Sequence, residues 1–184
     1  MPVKSKLSLG HFAMHARDVE RMADFYTNVV GLTVTDRGTV TDADLPMIFM
    51  SADPDEHHQF VLIGGRPDDD NFQLNHHLAF IVESLDHLRA IHERAAATEG
   101  IDDLRCRTHG NAWSVYFNDP EANGVECYVP TPWHVAQPNI HPFDLNKSDQ
   151  EIRTETEELC RSGDHFMSAG DRQVEMARMM EEPA

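Results

Sequence analysis

Basic residues are scarce in this chain. Fifteen lysines and arginines stand against 32 acidic residues, a net charge of −17 over 184 residues. That balance argues against nucleic acid or an anionic membrane surface as a partner. Cysteine is scarcer still. Cys106, Cys127 and Cys160 form neither an even disulfide set nor a metal-ligand spacing. No apolar run approaches the ~18 residues that suggest a membrane-spanning helix, and no secretory signal pattern is present. These absences predict a cytoplasmic protein with reduced thiols. Hydrophobic residues at 40% and charged residues at 26% leave an ordinary globule: one domain, or one domain with an appendage. Twelve histidines are the exception, and their placement matters more than their number.

The most informative stretch is 113–130. It reads as an apolar-alternating strand, a turn through Asp119, Pro120, Asn123 and Gly124, and a second strand. Glu126 sits in the second strand between Val125 and Cys127. A carboxylate on such a strand is costly to bury unless it is hydrogen-bonded, ion-paired or bound to a metal.

The chain contains a repeat. Residues 7–16 read as a strand, and Asp18 is suited to cap a helix over 19–29 that stops at Gly31. Three strands follow: one beginning at Leu32, one over 47–50, and one over 58–63. The pattern then recurs, with a strand over 77–82, a helix from Leu85 capped by Ser84, a strand over 104–108 and the two strands of the opening stretch. An offset of 66 places His11, Phe12 and Ala13 on His77, Leu78 and Ala79, and an offset of 68 places His58 on Glu126. Two βαβββ modules, about 7–66 and 73–130, each too small to bury its own face, predict an α+β fold in which the pair shares a curved mixed sheet around a metal site. That domain would span 1–132.

Residues 133–184 differ in character. Ser148 and Glu151 have capping-box spacing for a helix ending near Arg161 and Gly163, and a second helix is expected from about Asp164 to Met180, interrupted by Gly170. The extension reads as a packing or oligomer-contact appendage, with a lid as the sharper alternative. Homo-oligomerisation is expected on the same ground.

The repeat draws attention to His11 and His77 on the first strands, and to His58 and Glu126 on the last. Two neutral imidazoles and a carboxylate form the facial triad of non-haem Fe(II) oxygenases, which leaves three coordination positions open. With these residues in view, the chain resembles the vicinal oxygen chelate superfamily, also called the glyoxalase/bleomycin resistance/dioxygenase superfamily. Within it the chain is most similar to the one-domain type I extradiol catechol dioxygenases. The matching segments are 9–18, Phe25-Tyr26 with Val30-Gly31-Leu32, 56–60, 75–80, His109-Gly110 and 114–126. The resemblance covers about 7–132.

The resemblance implies metal ligands at His11, His77 and Glu126, holding Fe(II), with Mn(II) the alternative ion. It implies an acid/base histidine at His58, where a four-ligand relative places a carboxylate. His109 and Tyr116 take the family's supporting positions around the substrate. The substrates implied are O₂ and a catechol, with a bicyclic diol like 2,3-dihydroxybiphenyl the candidate. Ala122 stands where the family has glycine, with Asn123 expected to accept the left-handed conformation. The interval from His109 to Tyr116 is shorter than the family's, and the loop from His58 to His77 is longer, with the acidic run Asp68 to Asp70 expected at the surface. Strand alternation turns His57 and His76 away from the site, and His15 keeps its parity. His87, His92, His134, His141 and His165 read as surface or tail residues, and Trp113 and Trp133 as packing. Two other readings stay open: a glyoxalase- or epimerase-like lyase or isomerase using a divalent metal without O₂, and a metal-free protein that binds an antibiotic or other small molecule.

Overall fold

A computed structural model of the protein describes residues 9–40, 44–68, 77–101 and 103–181. The readings for 1–8, Asp69, Asp70 and His76 fall outside the described residues. The fold is α+β with mixed sheets and divides into two units, residues 1–73 and 74–184.

In the first unit β1 is Phe12–His15, α1 is Val19–Phe25, β2 is Thr33–Val40, β3 is Leu45–Ser51 and β4 is Phe60–Ile63. Asp18 caps α1 by accepting from the Arg21 amide at 3.0 Å. The helical run continues through Tyr26–Val30 in wider π-helical turns and stops at Gly31, whose φ of +103° suits a residue without a Cβ. Met22, Ala23, Phe25, Tyr26, Val29 and Val30 are its buried face. The Tyr26 ring meets Phe60 of β4 at 4.5 Å between centroids. The strand order is β1-β4-β3-β2, with β1 and β4 parallel.

The second unit repeats the arrangement. Here β5 is His77–Ile81, α2 is Leu85–Ala97, β6 is Arg105–Thr108, β7 is Ala112–Asn118 and β8 is Gly124–Pro130. Ser84 caps α2 by accepting from the His87 amide at 3.1 Å. The order β6-β7-β8-β5 corresponds strand for strand to the first unit, again with the first and last strands of the module parallel. Apolar and polar side chains alternate along β7 and β8. Trp113, Val115, Phe117, Val125, Cys127 and Val129 are buried apolar residues, and α2 packs on these strands. The intervening Ser114, Tyr116, Glu126 and Tyr128 face the other way. That alternation creates a polar face on an otherwise apolar hairpin.

The turn between β7 and β8 departs from the sequence reading. Ala122 itself, not Asn123, takes the left-handed conformation, with φ +65°. The turn is held by Asp119, whose carboxylate accepts from the amides of Glu121 and Asn123, both at 2.9 Å, and from the Asn123 side chain. Fastening both backbone and side chain of Asn123 fixes that residue, so the strained conformation falls one position earlier.

Residues 133–181 pack within the second unit. They contribute β9 (Trp133–His134), β10 (His141–Pro142), α3 (Asp149–Ser162), β11 (Met167–Ser168) and α4 (Ala169–Glu181). The Ser148–Glu151 capping box is present as expected. The last helix begins about five residues later than the sequence suggests. Met167 and Ser168 pair with His134 and Trp133 first, and Ser168 then accepts from the Asp171 amide at 3.0 Å. Gly170 therefore lies in the first turn of α4 and interrupts nothing. Strand β10 was not anticipated; it pairs antiparallel with β6 and adds a fifth strand to that sheet.

Candidate functional site

The register of the second sheet assembles a polar cluster. Glu126 on β8 lies opposite Ala79 on one side and opposite Tyr116 on the other. Two residues before Ala79, on the same face, is His77, a diagonal neighbour within reach of a long side chain. His77 Nε2 lies 3.0 Å from Glu126 Oε2. The Tyr116 hydroxyl donates to the other carboxylate oxygen at 2.7 Å. His109, at the start of the β6–β7 turn, brings its Nε2 to 2.8 Å from the same hydroxyl and 3.9 Å from Glu126 Oε1. Its Nδ1 lies 3.0 Å from the carbonyl oxygen of Asn139. A carbonyl can only accept, so Nδ1 carries a proton and the ring's orientation is fixed.

Burial divides the cluster. The Glu126 side chain is 10% exposed and that of His77 is 48%. The carboxylate is thus anchored inside while the imidazole stands at the open edge, where solvent screens much of the pair's attraction. Burial, followed by the hydrogen bond and the negative charge of Glu126, holds the Tyr116 phenol well above its ordinary pKa. Tyr116 therefore stays a neutral donor at physiological pH. The Cys127 thiol, behind Glu126, is pushed up to about 12 by burial and the same carboxylate, which keeps it an unreactive packing group. Among the described residues, the buried side-chain oxygens without a hydrogen-bond partner are Ser114 Oγ and Asn139 Oδ1. Ser114 lies two residues before Tyr116 on the same face of β7, and Asn139 supplies the carbonyl at His109 Nδ1.

The donor pair suits a divalent cation. Two cis ligands at ~2.1 Å from one ion lie about 3.0 Å apart, which is the His77–Glu126 separation. One neutral imidazole and one carboxylate are also the donor types that Fe(II) and Mn(II) accept. Among the described residues, no group of three or more His, Cys, Asp or Glu side chains is gathered at metal-binding geometry. His77 and Glu126 form a pair.

In the first unit, His11 and His58 lie with ring centroids 4.6 Å apart. His11 immediately precedes β1, and the Phe12 amide bonds the Gln59 carbonyl at 3.0 Å. The readings of His57 and His58 from strand alternation need correction. The strand begins only at Phe60, so both histidines lie in the preceding turn, with their Nδ1 atoms 2.8 Å apart. A turn imposes no alternation, and the two rings meet. The 68-residue offset also needs correction. Ala13 pairs with Val61 as Ala79 pairs with Glu126, so the structural counterpart of Glu126 is Val61, not His58. His15 bonds the Gly64 carbonyl at 3.0 Å, and its ring is engaged there. Trp113 is fully buried against Trp133, as a packing residue should be, and its indole donates to Thr156 of α3 at 2.8 Å.

The structure thus brings together His77, Glu126, Tyr116 and His109 of the residues singled out in the sequence, and adds the Asn139 carbonyl, which the sequence reading does not include. A backbone carbonyl supplied by an irregular loop has no side-chain signature, so no sequence signal could have found it.

Comparison with known proteins places the chain in a family. The family model described as "Glyoxalase/Bleomycin resistance protein/Dioxygenase superfamily" matches residues 8–127. No curated protein matches. Among solved structures, a glyoxylase/bleomycin resistance protein/dioxygenase domain from Frankia sp. EAN1pec is 22% identical, with TM-score 0.57 over 69% of this chain and all of that one. The fosfomycin resistance protein FosX of Listeria monocytogenes, in a mutant complexed with Mn(II) and 1S,2S-dihydroxypropylphosphonic acid, is 19% identical. Its TM-score is 0.51, over 67% of this chain and 93% of that one. A structure described as a possible glyoxalase from Bacillus cereus is 21% identical, with TM-score 0.50 over 66% of this chain and 98% of that one.

Proposed function

Because the chain belongs to the glyoxalase/bleomycin resistance protein/dioxygenase superfamily, we propose that it is a divalent-metal enzyme that cleaves a catechol ring beside one hydroxyl, placing both atoms of O₂ in the product. The observation that carries this reading is the hydrogen-bonded chain from His109 through Tyr116 to Glu126, beside His77. A non-oxidative metal centre has less use for such a chain next to a ligand carboxylate.

His77 and Glu126 hold the metal in this reading, with His11 the third ligand that the family resemblance implies. The metal would be Fe(II), or Mn(II), and would supply a place where vicinal hydroxyls lose protons readily and lie next to O₂. Tyr116 presents a neutral phenol to oxygen on the substrate or product as negative charge develops there. His109, with Nδ1 tied to Asn139, directs Nε2 toward that phenol and supports its hydrogen bonding. His58 takes a proton from a catechol hydroxyl and returns one during ring opening, a two-way role suited to an imidazole near neutral pH. The substrate class is a catechol, with a 2,3-dihydroxybiphenyl-like diol as the bicyclic candidate.

A second reading is favoured by the likeness to the Mn(II)-bound fosfomycin resistance protein and to the possible glyoxalase. There the same ligands serve a lyase or isomerase that uses no O₂. Protein reconstituted anaerobically with Fe(II) and given catechol or 2,3-dihydroxybiphenyl separates the two. Stoichiometric O₂ uptake with a yellow product, lost in His77→Ala, is the expected result. Bound metal without uptake for either diol would move the assignment to the second reading. A chain that binds no metal would leave only a small-molecule binder.

A further inference from the structure

The region of the chain beyond the family match reaches back to the site. Residues 8–127 carry the match, yet the carbonyl that fixes His109 comes from Asn139. The loop bearing Asn139 is built around one side chain, Gln137. Its Nε2 donates to the His109 carbonyl at 2.8 Å and to the Val135 carbonyl at 3.3 Å. Its Oε1 accepts from the Asn139 amide at 3.0 Å. One amide group therefore ties the backbone of His109 to the backbone of the residue that His109 Nδ1 engages.

The surroundings hold both ends of this bridge. His141 pairs with Thr108, next to His109, through β10 and β6. Thr131 Oγ1 donates to the Gly110 carbonyl at 2.6 Å. Gly110 has φ +75°, and a Cβ there would meet Val135 Cγ1 at 2.5 Å and Cys160 Sγ at 2.9 Å. The turn that presents His109 is thus packed directly under the extension.

We propose that Gln137 is a positioning residue for His109, and that the carboxy-terminal extension is thereby a working part of the site. Gln137 touches no reacting group; it acts by keeping the Asn139 carbonyl on His109 Nδ1, and so Nε2 on Tyr116. The inference rests on the reading of His109 as a supporting residue for the reaction. It gives residues 135–140 of the extension a role other than a lid or an oligomer contact.

The test uses the full chain labelled with ¹⁵N-histidine and reads the His109 Nδ1–H resonance, which a bonded and sheltered proton makes observable. Gln137→Ala should broaden or abolish that resonance. With a diol that is turned over, kcat should fall about tenfold, the lower end for loss of a supporting hydrogen-bond partner because Gln137 is exposed. KM should change much less. Gln137→Glu keeps the acceptor for the Asn139 amide but loses the donor to His109, and should fall between. Thr156→Val is the control: it removes the Trp113–Thr156 bond and loosens the extension without touching His109, so Tm should fall while kcat and the resonance hold. An unchanged His109 resonance in Gln137→Ala, or an equal kcat loss in Thr156→Val, would overturn the proposal. If the wild-type chain turns over no diol, the function reading fails, and the resonance alone decides the role of Gln137.

Discussion

The two modules have one topology and opposite chemistry on the same rung of their sheets. In the first, Ala13 of β1 lies beside Val61 of β4, which lies beside Phe49 of β3. In the second, Ala79 lies beside Glu126, which lies beside Tyr116. Valine and phenylalanine have become glutamate and tyrosine at corresponding positions, with no change in strand order. The polar pair is tolerable because each member satisfies the other, and His77 and His109 take up the remaining capacity. The first module has no such pair on its rung. Its histidines lie at the ends of strands, where His58 occupies a turn. A duplicated scaffold can therefore carry an apolar rung in one module and a polar rung in the other without a change of strand order.

Breaking the polar rung gives the largest expected effect. Glu126→Ala should lose metal and turnover by more than the ~10–100-fold typical of an outer partner, measured by metal analysis after dialysis and by O₂ uptake. Val61→Ala at the matching position should instead cost about 2 kcal/mol of stability through lost apolar burial, with metal content unchanged. Loss of metal in both variants would erase the contrast between the modules.

Next in size is Tyr116→Phe. Removing the hydroxyl strips Glu126 of one donor and His109 of its partner. A fall in kcat of about 100-fold is expected, with metal still bound. A variant equal to the parent would show that the relay is a packing feature only.

Ala122→Gly probes the turn that sets the rung's register. An L-residue at φ +65° carries strain that glycine relieves, so stability should rise by about 1 kcal/mol. Chemical denaturation reads this directly, and a loss of stability would mean that the alanine side chain contributes more than its strain costs.

The smallest effect lies in the extension. Burial, then the charges of Arg172 and His165, hold the His134 pKa below its ordinary value, with Glu175 opposing. A depressed histidine stabilises the folded state above the unfolded pKa, and that contribution is lost as pH falls through the folded value. Tm should therefore decline on acidification below about pH 6.5, and His134→Phe should flatten that limb. A limb of the same slope in the variant would assign the decline to other groups.

Much of this was legible in the sequence because it depends on local rules. Asp18, Ser84 and Ser148 announced three helix starts through their own capping chemistry, and the recurring strand–helix–three-strand order announced the duplication. Glu126 announced itself as an acid in an apolar strand. The failures came where a contact decides the geometry. Nothing local says that β4 starts at Phe60, so alternation read along the sequence runs too far back and puts the counterpart of Glu126 at His58, three residues before Val61. The left-handed position moved from Asn123 to Ala122 because Asp119 had already fastened Asn123.

The sequence by itself determined the α+β modules, their repetition, and the identity of the residues that form the polar rung, since side-chain period and capping act within a few residues. The tertiary structure decided which side chains share a rung, where the turns end, and that a carbonyl 30 residues beyond His109 fixes its ring. Those depend on register and on backbone atoms that every residue carries, and no pattern of side chains encodes them.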